Sequence, residues 1–128
     1  MLFRAKTENA ATGRLGETFA AEYLVRQGYE IVEKNYRKPF GEIDIVAREG
    51  GMLVFVEVKT RHASVYGAPV EAVDARKQRQ LSRIAQDYLL NGRLSDTAAR
   101  FDVIGVTLDT HNRPAQIELI KNAFDFVG

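Results

Sequence analysis

Two short strand-like segments of this chain carry ionisable side chains among apolar ones. Residues 41–47 read GEIDIVA, and residues 55–60 read FVEVKT. Asp44 lies between two isoleucines, and Glu57 and Lys59 lie on either side of a valine. Burying a carboxylate or an ammonium group costs several kcal/mol unless the group is paired or bound to a metal ion. Any fold of this chain must therefore bring these charges to partners.

Length and hydropathy pattern predict one α/β domain. The chain has 128 residues, of which 45% are hydrophobic, and this is enough for one core. Apolar residues at helical spacing predict a first helix over residues 12–27, with Gly28 as its C-cap. Gly16 lies in the middle of the apolar face, which predicts close packing of this helix on a sheet. A second helix is predicted from residue 68 or 70 to residue 90, after a loop over residues 62–69.

Alternating and continuous apolar runs predict five strands. They cover residues 29–35, 42–48, 52–60, 101–108 and 115–120. The predicted order of elements is therefore αβββαββ. We expect residues 1–11 to form a flexible N-terminal arm and residues 12–128 to form a single domain. Asp102, in the fourth strand, is expected to pair with Arg100 or another arginine rather than with a metal ion.

The second and third strands are predicted to form a hairpin that places acids opposite each other. A two-residue turn at residues 50–51, both glycines, puts Asp44 opposite Glu57. A turn shifted back by one residue puts Glu42 opposite Glu57 instead. Because side chains alternate along a strand, both registers keep these acids and Lys59 on one face.

The facing acids predict a site for a divalent cation. Two carboxylates on neighbouring strands, with their Cβ atoms about 5 Å apart, repel each other when both are ionised. Mg²⁺ or Mn²⁺ between them would remove this repulsion, with Asp44, Glu57 and the Val58 carbonyl as ligands. Lys59 would then lie near the water that attacks a phosphate. The alternative is a structural ion pair, in which Lys59 neutralises Glu42 or Glu57.

Two helix residues are candidates for the same site. Lys77 falls on the apolar face of the second helix, so it either pairs with an anion or extends its ammonium group to solvent. Glu17 lies at the edge of the apolar face of the first helix. It is either a third acid of the site or an exposed glutamate.

These motifs together resemble a known family. The LGE run at residues 15–17, GEIDIVA, FVEVKTR and the FDVIGV strand are similar to the YraN-like family of small bacterial proteins. That family resembles Holliday-junction resolvases and other restriction-endonuclease-like, PD-(D/E)xK nucleases. The resemblance spans residues 13–126 and implies a central mixed sheet of five strands flanked by helices. It also implies the roles of five catalytic residues: Glu17 as the helix acid, Asp44 as the metal-binding aspartate, Glu57 and Lys59 as the E-x-K pair, and Lys77 as the polar residue of the following helix. Ile43 stands where the superfamily motif has proline.

Basic residues near the predicted site are candidates for contacts to nucleic acid. A polar stripe of the second helix, a predicted loop over residues 36–39 and the end of the third strand supply them: Arg76, Arg79, Arg83, Arg37, Lys38 and Arg61. The net charge is only +1 and the pI is about 8.0, whereas nucleic-acid-binding domains typically have a pI above ~9. Binding to DNA would therefore depend on this local cluster. The alternative is that the arginine stripe is a solvated helix face.

The sequence thus predicts a Mg²⁺- or Mn²⁺-dependent endonuclease that hydrolyses phosphodiester bonds of DNA, including branched or structured DNA. The alternatives are a nucleic-acid-binding module whose nuclease site is dormant or very slow, and a protein-interaction domain. There is no cysteine and no apolar run of the ~20 residues that cross a bilayer, so we expect a cytoplasmic protein without a membrane partner. A homodimer would supply two sites for cutting two strands, although no residue requires one.

Overall fold

A five-stranded sheet lies between two helices in the computed structural model of the chain. The structure describes the backbone of residues 2–62 and 71–128, and the side chains of residues 10–62 and 71–128. The elements in chain order are α1 (Leu2–Arg26), β1 (Glu30–Lys38), β2 (Gly41–Glu49), β3 (Met52–His62), α2 (Ala75–Asn91), β4 (Ala99–Leu108) and β5 (Pro114–Phe124). This order confirms the αβββαββ prediction. Among these residues, no helix has the length and apolar character needed to cross a membrane.

The strands lie side by side in sequence order, and the sheet is mixed. β1, β2 and β3 are antiparallel to their neighbours, β3 and β4 are parallel, and β4 and β5 are again antiparallel. The parallel pair needs a crossover connection, which includes α2. A mixed five-stranded sheet with a helix on each face is consistent with the restriction-endonuclease-like architecture expected from the sequence.

Both helices begin at residues other than those predicted. α1 begins at Leu2 and so includes most of the predicted arm; the separation of residues 1–11 from the domain stays a prediction. α2 begins at Ala75 and not at residue 68 or 70, because Asp74 is its N-cap. The Asp74 side chain accepts a hydrogen bond from the Lys77 N–H at 2.8 Å, which satisfies a free donor of the first turn. The loop predicted for residues 62–69 lies outside the described residues, except for His62 at the end of β3.

The strands are longer than the alternation of residues predicted. β1 continues through residues 36–38, which were predicted as a loop. β5 continues to Phe124, whose ring stacks on Phe101 of β4 with the ring centroids 4.6 Å apart. In both strands, polar residues interrupt the hydrophobic pattern, so the predicted strand ends too early. Pairing with a neighbouring strand nevertheless keeps the backbone extended beyond that point.

The sheet buries apolar side chains on both faces. On the α1 side they include Ala20, Leu24, Ile45, Ala47, Val54 and Val56. On the α2 side they include Val46, Leu53, Phe55, Leu81, Ile84 and Phe101. Consecutive β3 residues therefore face opposite helices, and Glu57 continues the α2-facing series that contains Phe55.

Asp102 is fully buried on β4, and its carboxylate is held by four hydrogen bonds. Arg100 donates two of them, at 2.9 and 3.1 Å, which confirms the expected pairing. The Tyr29 hydroxyl donates at 2.7 Å and the Asn122 N–H at 2.9 Å. Because groups of the protein supply all four donors, the burial of this carboxylate needs no metal ion to explain it.

Gly16 lets the backbone of α1 lie directly on β3. A Cβ atom at position 16 would overlap the Oγ1 atom of Thr60 and lie 2.8 Å from the Cβ atom of that residue. Only a glycine allows the helix to approach this closely, as the sequence predicts. The contact carries the next residue, Glu17, to the sheet surface beside β2 and β3.

Replacing Gly16 by alanine should destabilise the fold. The new methyl group overlaps Thr60, so we expect Gly16→Ala to lower the free energy of unfolding by about 1–3 kcal/mol in urea unfolding experiments. Gly13 is the matched control in the same helix, because no described atom lies within 4 Å of the place that its Cβ would take. Gly13→Ala should be neutral or stabilising by up to about 1 kcal/mol. Equal effects of the two changes would contradict close packing at Gly16.

Candidate metal centre

The β2–β3 hairpin opens at the point where its acidic residues begin. Glu49 pairs with Met52 and Ile45 with Val56, so the two-residue glycine turn is present and the first predicted register is confirmed. Continued by one residue, this register places Asp44 opposite Glu57. The Oδ2 atom of Asp44 accepts a hydrogen bond from the Val58 N–H at 2.8 Å. The Asp44 side chain thus forms a hydrogen bond with the β3 backbone just beyond the last paired residues of the hairpin.

Three carboxylates from different elements meet at this opening. Glu17 of α1, and Glu42 and Asp44 of β2, each offer an oxygen atom, and these atoms lie within 4.8 Å of one another. All three residues are partly buried. Glu57 of β3 is a fourth acid, which is close enough to affect Asp44 and has only 12% of its side chain exposed. The cluster contains only oxygen donors, which suits a hard cation such as Mg²⁺ or Mn²⁺, and it could hold a metal ion.

Electrostatics single out Asp44 within the cluster. Burial, followed by the charge of Glu57, raises the pKa of Asp44 to about 9, although the hydrogen bond from the Val58 N–H opposes this rise. Burial also raises the pKa of Glu42, but hydrogen bonds from Arg37 and Asn35 outweigh it and hold that pKa below its ordinary value. Asp44 is therefore the acid whose charge most needs a cation.

Hydrogen bonds to Asn35 and Arg37 tie the cluster together. The Nδ2 atom of Asn35 donates to the Oε1 atoms of Glu17, at 2.9 Å, and Glu42, at 3.2 Å. The Nε atom of Arg37 donates to the Oε2 atom of Glu42 at 2.8 Å. Sequence reasoning placed Glu42 on the same face as Asp44 but not among the proposed ligands, and it did not consider Asn35. The alternation of Glu42 with Asp44 was a usable signal, whereas nothing in the sequence marks Asn35.

The two predicted site lysines differ in their contacts. Lys77 forms an ion pair with Glu57, with its Nζ atom 3.6 Å from Oε2, while 42% of its side chain remains exposed. Lys77 thus both pairs with an anion and reaches solvent. Lys59 is partly buried and forms no ion pair or hydrogen bond with any side chain that the structure describes. The alternative in which Lys59 neutralises Glu42 or Glu57 is therefore wrong within the described residues.

The predicted nucleic-acid contacts fall into two groups. Arg76, Arg79 and Arg83 are exposed on α2. The Arg83 guanidinium lies 4.0 Å from the centroid of the Phe40 ring. Three further residues have partners within the protein: Arg37 with Glu42, Lys38 with Asp87 at 3.0 Å, and Arg61 with the Thr107 hydroxyl at 2.9 Å. Their contact with DNA stays a prediction, as does the role of the Val58 carbonyl.

The chain belongs to the family described as "Uncharacterised protein family UPF0102", whose model matches residues 16–106. This match confirms the resemblance to the YraN-like family, and it spans every acid and lysine of the cluster.

Three relatives, each named UPF0102 protein, align over most of their length. The protein from Syntrophus aciditrophicus is 51% identical over 125 residues, which cover 98% of this chain and 96% of the relative. The protein from Moorella thermoacetica is 49% identical over 112 residues, which cover 88% and 93%. That from Trichlorobacter lovleyi is 52% identical over 118 residues, which cover 91% and 92%.

A solved structure of Pyrococcus furiosus SfsA in complex with Ca²⁺ aligns over 93% of this chain and 63% of that chain. Its sequence identity is 14% and the TM-score is 0.32, so this likeness carries no weight for the fold or the site.

Replacing Asp44 by asparagine should stabilise the metal-free protein. Between the ordinary carboxyl pKa and about 9, the folded protein keeps a proton on Asp44 that the unfolded chain releases, so stability falls as pH rises. The asparagine side chain would keep an acceptor for the Val58 N–H without this cost. We therefore expect Asp44→Asn to raise the free energy of unfolding by about 1–3 kcal/mol at pH 7, and the difference to widen from pH 5 to pH 8.

Urea unfolding in the presence of a chelator measures this difference. Asp96→Asn is the matched control, because Asp96 is exposed in a turn. It should leave the pH dependence unchanged. A wild-type protein that gains stability relative to Asp44→Asn as pH rises would contradict the buried-acid interpretation.

Proposed function

We propose that this protein is a Mg²⁺- or Mn²⁺-dependent endonuclease that hydrolyses phosphodiester bonds of DNA. The convergence of Glu17, Glu42 and Asp44 within 4.8 Å, at the opening of the hairpin, is the observation that carries the proposal. Three acids around one point, with Glu57 close to Asp44, are costly for a structural site, as the raised pKa of Asp44 shows. That cost is accounted for if the site binds a cation.

The proposed ligands are Asp44, Glu57 and Glu17 through their carboxylates and Val58 through its carbonyl, with Glu42 added by the structure. When bound, a divalent cation lowers the pKa of a water molecule and neutralises charge on a phosphate. The residues of three elements would thereby hold the reacting groups in one place.

We assign different roles to Lys59 and Lys77. Lys59 follows Glu57 by two residues and so shares its face of β3. Because its ammonium group has no described partner, it is available to orient the attacking water or to stabilise negative charge on the phosphate. Lys77 forms an ion pair with the Glu57 carboxylate, and we expect it to contact the same phosphate.

The exposed arginines of α2 support DNA as the substrate. Arg76, Arg79 and Arg83 lie on the helix that also brings Lys77 to the cluster. Contacts of this kind would bind backbone phosphates and would fix position rather than sequence. Structured or branched DNA is therefore a better candidate than a particular base sequence. We place this activity in the cytoplasm, where bacterial DNA is accessible.

A nucleic-acid-binding module with a dormant site is the second candidate. Arg37 already pairs with Glu42 and Lys77 with Glu57, so two acids of the cluster have cationic partners without a metal ion. A site neutralised in this way would bind a divalent cation weakly. Salt-dependent binding to DNA without turnover would favour this candidate.

A cleavage assay with defined substrates tests the main proposal. The purified chain is incubated with duplex, single-stranded, flap and four-way-junction DNA, with and without Mn²⁺, alongside Glu57→Ala and Asp44→Asn. We expect Mn²⁺-dependent cleavage by the wild type and a loss of at least ~100-fold in both variants. Cleavage that persists in Asp44→Asn, or that needs no metal ion, would contradict the proposal.

The same assay on circular plasmid DNA tests whether the protein acts as a homodimer, which would supply one site for each strand. One site cuts one strand at a time, so a dimer that cuts both strands should yield linear product directly. Nicked circles that accumulate before linear DNA would indicate that single sites act independently.

Removing the Lys59 ammonium group should affect turnover rather than metal binding. We expect Lys59→Met to lower the single-turnover rate by about 100-fold, because stabilisation of phosphate charge is lost. Mn²⁺ affinity should change little, since Lys59 is not a proposed ligand. Lys34→Met, at an exposed position of β1, is the matched control and should cleave like the wild type. Equal rates for the two variants would remove Lys59 from the mechanism.

A further inference from the structure

Asn35 has an unusual backbone conformation for a strand residue. Its φ is 55°, in the left-handed region that asparagine tolerates better than most residues. Lys34 pairs with Ile45 and Tyr36 with Ile43, so Asn35 lies opposite Asp44 in the sheet. The strained residue of β1 thus adjoins the most strongly perturbed acid of β2.

The Asn35 side chain connects two acids that belong to different layers of the fold. Its amide nitrogen donates to Glu17 of α1 at 2.9 Å and to Glu42 of β2 at 3.2 Å. An amide NH₂ group donates two hydrogen bonds and accepts none, so it favours carboxylates that are ionised. It brings no positive charge of its own. Unlike a lysine or an arginine, it therefore holds the two acids together without neutralising them.

Glu17 depends on Asn35 more than Glu42 does. Glu42 also accepts a hydrogen bond from Arg37. For Glu17, the Asn35 amide is the one hydrogen-bond donor among the described residues. Since that bond goes to Oε1, the Oε2 atom of Glu17 remains without a described donor. A fixed Oε1 atom thus determines where the second oxygen points.

We propose that Asn35 is a positioning residue of the metal centre, which orients Glu17 and Glu42 so that their oxygens and that of Asp44 meet at one point. This inference rests on the metal centre assigned in the proposed function. Asn35 acts through the carboxylates and is not itself a ligand. Removing a donor that fixes a metal-binding carboxylate typically costs about 10–100-fold in metal affinity.

Asn35→Gly separates this role from a purely structural one. Glycine adopts a φ of 55° without strain, so the fold should persist while the amide is lost. We expect Mn²⁺ affinity, measured by electron paramagnetic resonance of free Mn²⁺, to fall about 10–100-fold. Asn122→Gly is the matched control, because Asn122 is exposed and has a φ of 52°. It should bind Mn²⁺ like the wild type.

A double-mutant cycle tests whether Asn35 acts through Glu17. In a Glu17→Gln background, Asn35→Gly should lower Mn²⁺ affinity by a smaller factor than in the wild type, because one of its two acceptors is already altered. Equal factors in the two backgrounds would overturn the proposed route.

The outcomes distinguish the two proposals. If the wild type binds Mn²⁺ and Asn35→Gly binds it equally well, the role of Asn35 is wrong and the metal centre stands. If the wild type shows no Mn²⁺ binding that depends on Asp44, the metal centre itself is wrong and the role of Asn35 falls with it.

A measurement on the wild type avoids any folding defect of the variant. The side-chain amide resonances of Asn35 should shift during a Mg²⁺ titration in step with metal occupancy, because both of its acceptors are at the site. Asn35 amide resonances that remain unchanged while Mg²⁺ binds would overturn the proposal.

Discussion

The burial of Asp44 among like charges is the constraint on which this structure depends. Its carboxylate accepts a hydrogen bond from the Val58 N–H, lies close to Glu17 and Glu42, and is affected by the charge of Glu57. The paired residues of β2 and β3 end just before this point, and among the described residues this is the one group of three acids whose oxygens are close enough to hold a metal ion. Stability is thus reduced locally, in a fold whose two apolar layers are otherwise well packed.

The contrast with Asp102 shows why the cluster at Asp44 suggests function. Both aspartates lie in interior strands of the sheet, and both have apolar residues before and after them in the sequence. Asp102 receives four hydrogen bonds from protein donors, two of them from a guanidinium group. Asp44 has one backbone donor and acidic neighbours. Protein donors therefore satisfy the aspartate in one strand, whereas in the other we propose that a cation balances its charge.

Much of this arrangement could be predicted from the sequence. Strand alternation and the two glycines of the turn gave the register that brings Asp44 opposite Glu57, and the apolar face of α1 indicated close packing at Gly16. The predicted start of α2 was too early, because the apolar pattern begins before the aspartate that caps the helix. Asn35 could not be predicted, since its role depends on a left-handed backbone and on a helix distant in sequence.

The contact between Gly16 and Thr60 links this cluster to the docking of α1. Glu17 comes from the helix, whereas Glu42, Asp44 and Glu57 come from strands, so one ion shared by them would cross-link the first element of the chain to the middle of the sheet. Detachment of α1 would then require release of that ion. Metal occupancy and undocking of the helix would then be thermodynamically linked, and a bound cation would protect the amides of α1 from hydrogen exchange.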